Sequence, residues 1–285
     1  MIGVGHRVVG FRSAGSTGFV DGHTLSEILT ILGGRAVRMF LPGFDVSPAD
    51  NELVTDMGPR GHHFLKHGDE IYPPYIKGHV LVNRWNGAGM IGEAWDMMDH
   101  PDFSMGADGT ADNEPAFTVG IATRFRAVDF NAFPCRYDST GLAEEVEWRF
   151  YTEGTGLLEF SLYDAAVAVT IGQRYSVPLV VDRWYILFGV YDGSCANTGI
   201  KLYVDGVQVD DTPLAAGGYT AMHNTSVATT VGYAVNPAGG LGYWMNGDIW
   251  GPFITKKCLS DMPPSPGAQS EIVRLTNLYR RVLCL

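Results

Sequence analysis

The sequence predicts an all-β chain, an antiparallel two-sheet sandwich with one short N-terminal and one C-terminal helix. Three observations predict it. Short apolar runs, each bounded by Gly, Pro, Asn or Asp, recur at roughly 8–15-residue spacing with no helices between them. The 36 glycines and 15 prolines of the 285 residues follow no period, as tight turns between strands require. An Asp-Gly pair at Asp205-Gly206 sits between two alternating segments, Ile200–Val204 and Val207–Val209, which marks a type I′ hairpin.

Residues 1 to 23 are Gly-rich without a sustained period and read as an arm. Thr24 and Glu27 then fit a capping box, and Leu25, Ile28, Leu29 and Leu32 fall on one helical face that Gly33-Gly34 terminates. That face needs a partner. Its own sandwich is the ordinary choice, and a neighbouring subunit is the sharper one, which makes these four residues candidate anchor or oligomer contacts. The predicted organisation is therefore an arm and helix over 1–34 and one sandwich domain over 35–285.

Between Val37 and Trp95, short apolar pieces alternate with turn clusters, and internal prolines demote some to edge strands. The stretch from 100 to 115 is polar and Gly-rich and reads as a long surface loop inside one domain. From Phe117 the alternation sharpens through FTVGIATRFRAV, EEVEWRFYT, LLEFSLYD, RWYILFGVYD and IKLYVDGVQVDD. Trp148 and Trp184 sit inside these strands and are expected in the core. Gln269 to Leu283 predicts the second helix, with Ile272, Leu275, Leu278, Tyr279 and Val282 on one side and Arg280 and Arg281 in its last turn, where cations favour the dipole.

Composition bounds the function. With 46% hydrophobic and 12% aromatic residues the chain can bury a sizeable core. Twenty basic against 31 acidic residues give a net charge of -11, and no Lys/Arg run exceeds two, which argues against nucleic-acid binding. No basic-then-apolar leader is present, and no apolar run reaches the ~18 residues of a membrane span, so no membrane insertion is expected. Cys135, Cys195, Cys258 and Cys284 form no close pair of the kind zinc or redox motifs need. Free, mostly buried thiols are the expectation.

The C-terminal half resembles a known family. Arg183-Trp184-Tyr185-Ile186-Leu187-Phe188-Gly189-Val190-Tyr191-Asp192-Gly193, a short loop, then Ile200 through Val209 is similar to the laminin-G-like or concanavalin A-like lectin/glucanase pattern. There a Trp-led strand ends in Tyr-Asp-Gly and a Leu-Tyr-Val-Asp-Gly hairpin follows. Val231-Gly232-Tyr233, Met245-Asn246-Gly247-Asp248-Ile249, Leu259-Ser260 and Glu271-Ile272-Val273-Arg274-Leu275 resemble its later segments. Asp56 to His63 resembles an early Asp-x-Ser-Gly-x-Gly-x-His segment, from which Gly58-Pro59 departs. Over residues 35 to 285 the resemblance implies a jelly-roll sandwich; it does not fix a function, because the fold carries lectins, adhesion modules and glycosidases alike.

Catalytic motifs find little support. Glu145 and Glu147 share a strand face, but no Asp lies between them and no third carboxylate follows, so a solvated strand face is expected and no catalytic residue is assigned. His62, His63 and His67, with Asp69 and Glu70, are the only histidine cluster, without a helical start or a further ligand. The resemblance implies an edge calcium site in many relatives; Asp192, Asp205, Asp210 and Asp211 lie near turns but define no ligand set, so the metal is unknown and no cofactor is required. Gly3-Val4-Gly5 and Gly15-Ser16-Thr17-Gly18 lack the spacing of a dinucleotide loop or a nucleophile elbow.

Aromatics remain. Tyr243 and Trp244 lie in a Gly-rich segment with Asn246 close by, and Tyr219 stands in another loop; these four are the candidate carbohydrate-binding residues, against the ordinary reading that they cover the core or a subunit contact. The expected role is a non-enzymatic structural and adhesion protein. The setting that reconciles such a fold with the missing leader is the virion surface, as a phage capsid decoration or tail fibre component made in the host cytoplasm. Its partners are then other virion proteins or identical subunits, together with cell-surface glycans. A free-standing secreted bacterial lectin is the alternative, and a glycoside hydrolase ranks below both.

Overall fold

In the computed structural model the described residues are 22–40, 53–54, 58–60, 64–67, 75–77, 80–83, 94–97, 103, 105, 114–128, 130–138, 145–214, 217–222, 224–225, 227, 229–234 and 243–285. They contain α1 (Gly22–Ile31), α2 (Glu271–Leu283) and nineteen strands. The strands are β1 (Val37–Phe40), β2 (Leu53–Val54), β3 (Phe64–His67), β4 (Tyr75–Lys77), β5 (Val80–Asn83), β6 (Ala94–Met97), β7 (Phe117–Phe125), β8 (Asn131–Asp138), β9 (Glu145–Thr152) and β10 (Leu158–Asp164). They continue with β11 (Val169–Arg174), β12 (Trp184–Tyr191), β13 (Ile200–Val204), β14 (Val207–Gln208), β15 (Thr212–Leu214), β16 (Thr229–Val231), β17 (Tyr233–Ala234), β18 (Tyr243–Trp244) and β19 (Gly247–Thr255).

Two antiparallel sheets face each other, as the sequence predicts. The first runs β14-β13-β12-β7-β19-β5-β4, with β1 also paired to β19; the second runs β15-β11-β10-β9-β8-β16-β6-β3-β2. Period-2 alternation decides which side chains go between them. Val119, Ile121 and Phe125 of β7, Leu187 and Tyr191 of β12, Trp148 and Phe150 of β9 and Phe160 of β10 fill the space between the sheets. Phe117 ties the layers together, with its ring centroid 5.7 Å from Trp148, 5.6 Å from Phe160 and 5.9 Å from Tyr191. Phe103 and Met105 are buried in the same core, so the 100–115 stretch contributes packing and is not a surface loop alone.

The opposite faces of β7 and β12 are buried too, because both helices lie on the first sheet. Ile186, Phe188, Val190, Tyr203, Trp250 and Phe253 form a second core with Ile28, Ile31 and Leu32 of the N-terminal segment and Ile272, Leu275, Leu278 and Tyr279 of α2. Gly120 makes this possible: a Cβ there would stand 2.4 Å from the Phe253 ring and 2.5 Å from that of Phe188. Tyr279 stands edge-on to Trp250, with ring centroids 4.7 Å apart, and donates to the Gly251 carbonyl at 2.5 Å.

The helix ends differ from each other in legibility. α2 starts where Ser270 accepts the Val273 N–H, a standard N-cap. α1 starts at Gly22, so Thr24 is buried inside its first turn and does not cap it; Glu27 instead pairs with Arg274 at 3.2 Å and Arg281 at 3.7 Å. The carbonyls at the α1 C-terminus are met by Lys257 Nζ on Ile31 O (2.8 Å) and Thr255 Oγ1 on Leu32 O (2.6 Å). The hairpin of β13 and β14 forms as predicted, with Asp205 at φ 55° and Gly206 at φ 87°.

No disulfide joins the four cysteines. Only Cys135 is buried, and burial pushes its thiol up to about 12; Cys258 and Cys284 are exposed, contrary to the expectation of mostly buried thiols, because both lie outside the sheets. Trp148 is fully buried, whereas Trp184 is half-buried at the start of β12, with the Arg124 guanidinium 5.6 Å from its ring centroid.

Candidate ligand-binding face

Of the residues singled out in the sequence, Tyr219 and Asn246 lie at opposite ends of β7. The Tyr219 hydroxyl donates to Glu114 at 2.8 Å, and burial, then the Glu114 charge, raise its pKa well above the usual tyrosine range. Glu114, only 7% exposed, also accepts from the Tyr191 hydroxyl, from Cys195 Sγ at 3.1 Å and from the Met222 N–H at 2.5 Å. All of this lies just before β7. Asn246 lies past the far end of that strand, where its carbonyl accepts the Arg126 N–H and its own N–H donates to Asn131 Oδ1. The nine residues of β7 separate the two places by roughly 30 Å at ~3.3 Å per residue. Tyr243 and Trp244 form β18 opposite Ala234 and Tyr233, two residues from Asn246, and the description stops at their backbone. Of the anchor candidates, Ile28 and Leu32 are buried in the chain's own second core, and Leu25 and Leu29 pack partly buried against it.

Glu147 is not on a solvated face. It is fully buried and 3.1 Å from Arg136, itself fully buried. Its other contacts are the Met105 N–H at 3.2 Å, the Thr225 N–H at 2.8 Å and Thr225 Oγ1 at 3.2 Å. The pairing steps from Arg136 with Trp148 to Tyr137 with Val146, so Glu147 is the extra residue of a bulge in β9, opposite the pair that includes Arg136. Asp164, also buried, accepts the Thr220 and Ala221 N–H groups, so three buried carboxylates hold Thr220, Ala221, Met222 and Thr225 against the sandwich. Glu145 belongs to β9, and its side chain is outside the description, as is that of His67; His62, His63, Asp69 and Glu70 lie outside the described residues. Among the described residues no three His, Cys, Asp or Glu side chains gather as a metal site, and no helix is long and apolar enough to cross a membrane. Asp192, Asp205, Asp210 and Asp211 each accept a nearby backbone N–H, from Ser194, Ile186, Leu202 and Ser176.

The second sheet carries a polar and aromatic cluster on the face turned away from the core. Alternation in β9 sends Trp148 and Phe150 inward and Arg149 and Tyr151 outward; in β10 it sends Phe160 and Leu162 inward and Glu159 and Ser161 outward. Register then sets Glu159 between Tyr151 and Arg174, and Ser161 between Arg149 and Gly172. Glu159, 2% exposed, accepts from the Tyr151 hydroxyl at 2.5 Å and from Arg174 at 2.9 and 3.3 Å, with Arg149 3.9 Å away. Arg174 also reaches Glu153 at 3.1 Å. The Arg149 guanidinium lies 5.1 Å from the Tyr151 ring centroid and 5.3 Å from that of Tyr137, and Phe130 stacks on Tyr151 at 6.5 Å and 12°. Burial, opposed by Arg149 and reinforced by Glu159, raises the Tyr151 pKa, so its hydroxyl stays a donor.

Arg149 and Arg174 keep 30% and 28% exposure, so solvent meets guanidinium groups with the shared carboxylate beneath them. The arrangement is a partly exposed aromatic–guanidinium run backed by a fixed hydrogen-bond network. It suits holding a ligand with one apolar face and several hydroxyl or carboxylate groups. Sequence reading passed over Arg149, Tyr151, Glu159 and Arg174. The available signal was the polar half of the alternation in EVEWRFYT and LEFSLYD, but only strand register shows that these halves adjoin.

No family profile and no curated protein sequence matches the chain. Solved structures do. The crystal structure of HCR/D-Sa-GBL1/C aligns over 87% of this chain and 52% of its own, at 12% identity and a TM-score of 0.53. The botulinum neurotoxin serotype C1 binding domain aligns over the same shares, 87% and 52%, at 11% identity and a TM-score of 0.49. The CBM40 of the Ruminococcus gnavus IT-sialidase, bound to alpha2,3 sialyllactose, aligns over 59% of this chain and 91% of its own, at 13% identity and 0.42. The chain thus spans about half the length of the first two. Of the three, HCR/D-Sa-GBL1/C alone exceeds a TM-score of 0.5, and at 12% identity it establishes likeness of fold.

Proposed function

We propose that the chain is a non-enzymatic glycan-binding module, and that the outward face of the second sheet around Tyr151 receives the sugar. The observation that carries this reading is the Phe130–Tyr151–Arg149 run above the Glu159–Arg174 pair. A pyranose presents a C–H face that packs on flat ring and guanidinium surfaces. Its hydroxyls meet donors on Arg149 and Arg174, which cannot act as acceptors. Glycoside hydrolysis needs two carboxylates flanking the scissile bond. Glu147 is engaged by Arg136, Met105 and Thr225, and Glu159 by Tyr151 and Arg174, which favours binding over turnover. On a virion surface such a face would serve attachment to cell-surface glycans, and in a secreted lectin it would serve the same recognition.

Glycan-array binding followed by calorimetry on the best hit, with wild type, Arg149→Ala and Phe130→Ala, tests the reading. Each variant should weaken binding by roughly tenfold or more, the equivalent of ~1.4 kcal/mol, with little change in melting temperature. A wild type that binds no glycan on the array, or variants that bind as tightly as wild type, would refute it.

A further inference from the structure

The hydrogen-bond network beneath the Tyr151 face matches each cation with a carboxylate. Glu159 stands 3.9 Å from Arg149 and 2.9 Å from Arg174, and Glu153 stands 3.1 Å from Arg174. Burial disfavours the Arg174 cation, but Glu159, through its hydrogen bond and its charge, and then Glu153 outweigh burial and raise the Arg174 pKa. An anion placed here is drawn to the guanidiniums and repelled by Glu159 and Glu153 at similar range, and it also gives up its hydration. The chain's net charge of -11 adds a repulsive field from farther off. Coulombic attraction therefore offers an acidic ligand no net gain on this face.

The two carboxylates differ in reach. Glu159 is 2% exposed, and its oxygens are taken by the Tyr151 hydroxyl and by Arg174 Nε and Nη2. Glu153, the residue after β9, is 24% exposed. Its Oε1 accepts the Thr155 hydroxyl at 2.9 Å and its Oε2 faces Arg174 Nη2, which leaves each oxygen a lone pair. Arg174 commits Nε and Nη2 to the carboxylates and keeps Nη1 to donate to a ligand. The exposed end of the network is thus one acceptor and one donor side by side.

A sugar hydroxyl both donates and accepts hydrogen bonds. Neighbouring hydroxyls on a pyranose can therefore answer this pair, one donating to Glu153 and the next accepting from Arg174. A carboxylate or sulfate answers only half of it, because it has no hydrogen to give Glu153 and meets that residue's charge instead. We infer that the ligand of this face is an uncharged sugar, and that Glu153 selects it by accepting from a hydroxyl and repelling carboxylated and sulfated sugars. The inference rests on the glycan reading of the same face and narrows its ligand to one that binds through hydroxyls.

A glycan array that carries each neutral backbone beside its uronate and sulfate forms tests it, followed by calorimetry on wild type, Glu153→Gln and Arg149→Ala. Wild type should bind the neutral form, and each acidic form at least roughly tenfold more weakly. Glu153→Gln keeps the shape and removes the charge, so that preference should shrink by about tenfold, with an unchanged melting temperature at this partly exposed position. Acidic forms that bind wild type as tightly as neutral ones, and are weakened by Arg149→Ala, overturn the inference and leave the glycan reading standing. A Glu153→Gln variant with wild-type selectivity overturns the role given to Glu153. Binding of no glycan in any form, or binding that Arg149→Ala leaves intact, overturns the glycan reading and the inference with it.

Discussion

Glu147 illustrates what a single residue's neighbours in sequence reveal and what they hide. Its place on a strand beside Trp148 follows from alternation, and β9 bears that out. Its burial does not follow, because its partners come from three distant places: Arg136 on the adjacent strand, Met105 and Thr225. A charge pair with no exposure on either side is costly to break from one side, since the remaining ion keeps its desolvation penalty. Glu147→Gln preserves shape and removes the charge, leaving the Arg136 cation without its buried counter-ion. It should destabilise the fold by about 3–5 kcal/mol, measured by urea unfolding, with the slope unchanged. A loss below about 1 kcal/mol would mean that Arg136 is served by its contacts to Thr225 and Thr229 alone.

At the scale of elements, local chemistry was a good guide where it is self-sufficient. The Asp205-Gly206 turn needs positive φ at both central residues, and both have it. Gly206 is also close to α2, since a Cβ would stand 3.1 Å from Thr276 Oγ1. Gly206→Ala should therefore cost about 1–2 kcal/mol, the left-handed penalty of an L-residue, read as a lowered melting temperature. An unchanged melting temperature would show that the hairpin can relax into another turn. Ser270 was equally legible in principle, as a cap directly before an acidic first turn. The start of α1 was not, because Thr24 has the chemistry of a cap and lies in the first turn of the helix. The ligand face was invisible for a related reason: Tyr151, Glu159 and Arg174 adjoin through pairing across three strands, which no single segment encodes.

For the whole molecule, the sandwich could be read from Phe117 onward, but its third layer could not. The sequence shows an apolar stripe on α1 and another on α2 without saying that both rest on the first sheet. It shows Gly120 without the two phenylalanine rings that need its missing side chain. An N-terminal helix that served only as an anchor would be removable at no cost to the domain. Here Ile28, Ile31 and Leu32 are buried, at about 1.5–3 kcal/mol for each such side chain. Their combined contribution is comparable with the ~5–15 kcal/mol that holds a whole domain folded. Removing residues 1–34 would also uncover Val37, Phe40, Trp250 and Phe253 of the second core, a large apolar patch on the outside of a sheet. A chain starting at Arg35 should therefore melt far lower than the full chain, or accumulate as aggregate, whatever its assembly state. The comparison is a thermal scan of the two chains side by side under identical conditions. Equal melting temperatures, with the shorter chain altered only in oligomeric state, would show that the N-terminal segment is an assembly device resting on a sandwich complete without it.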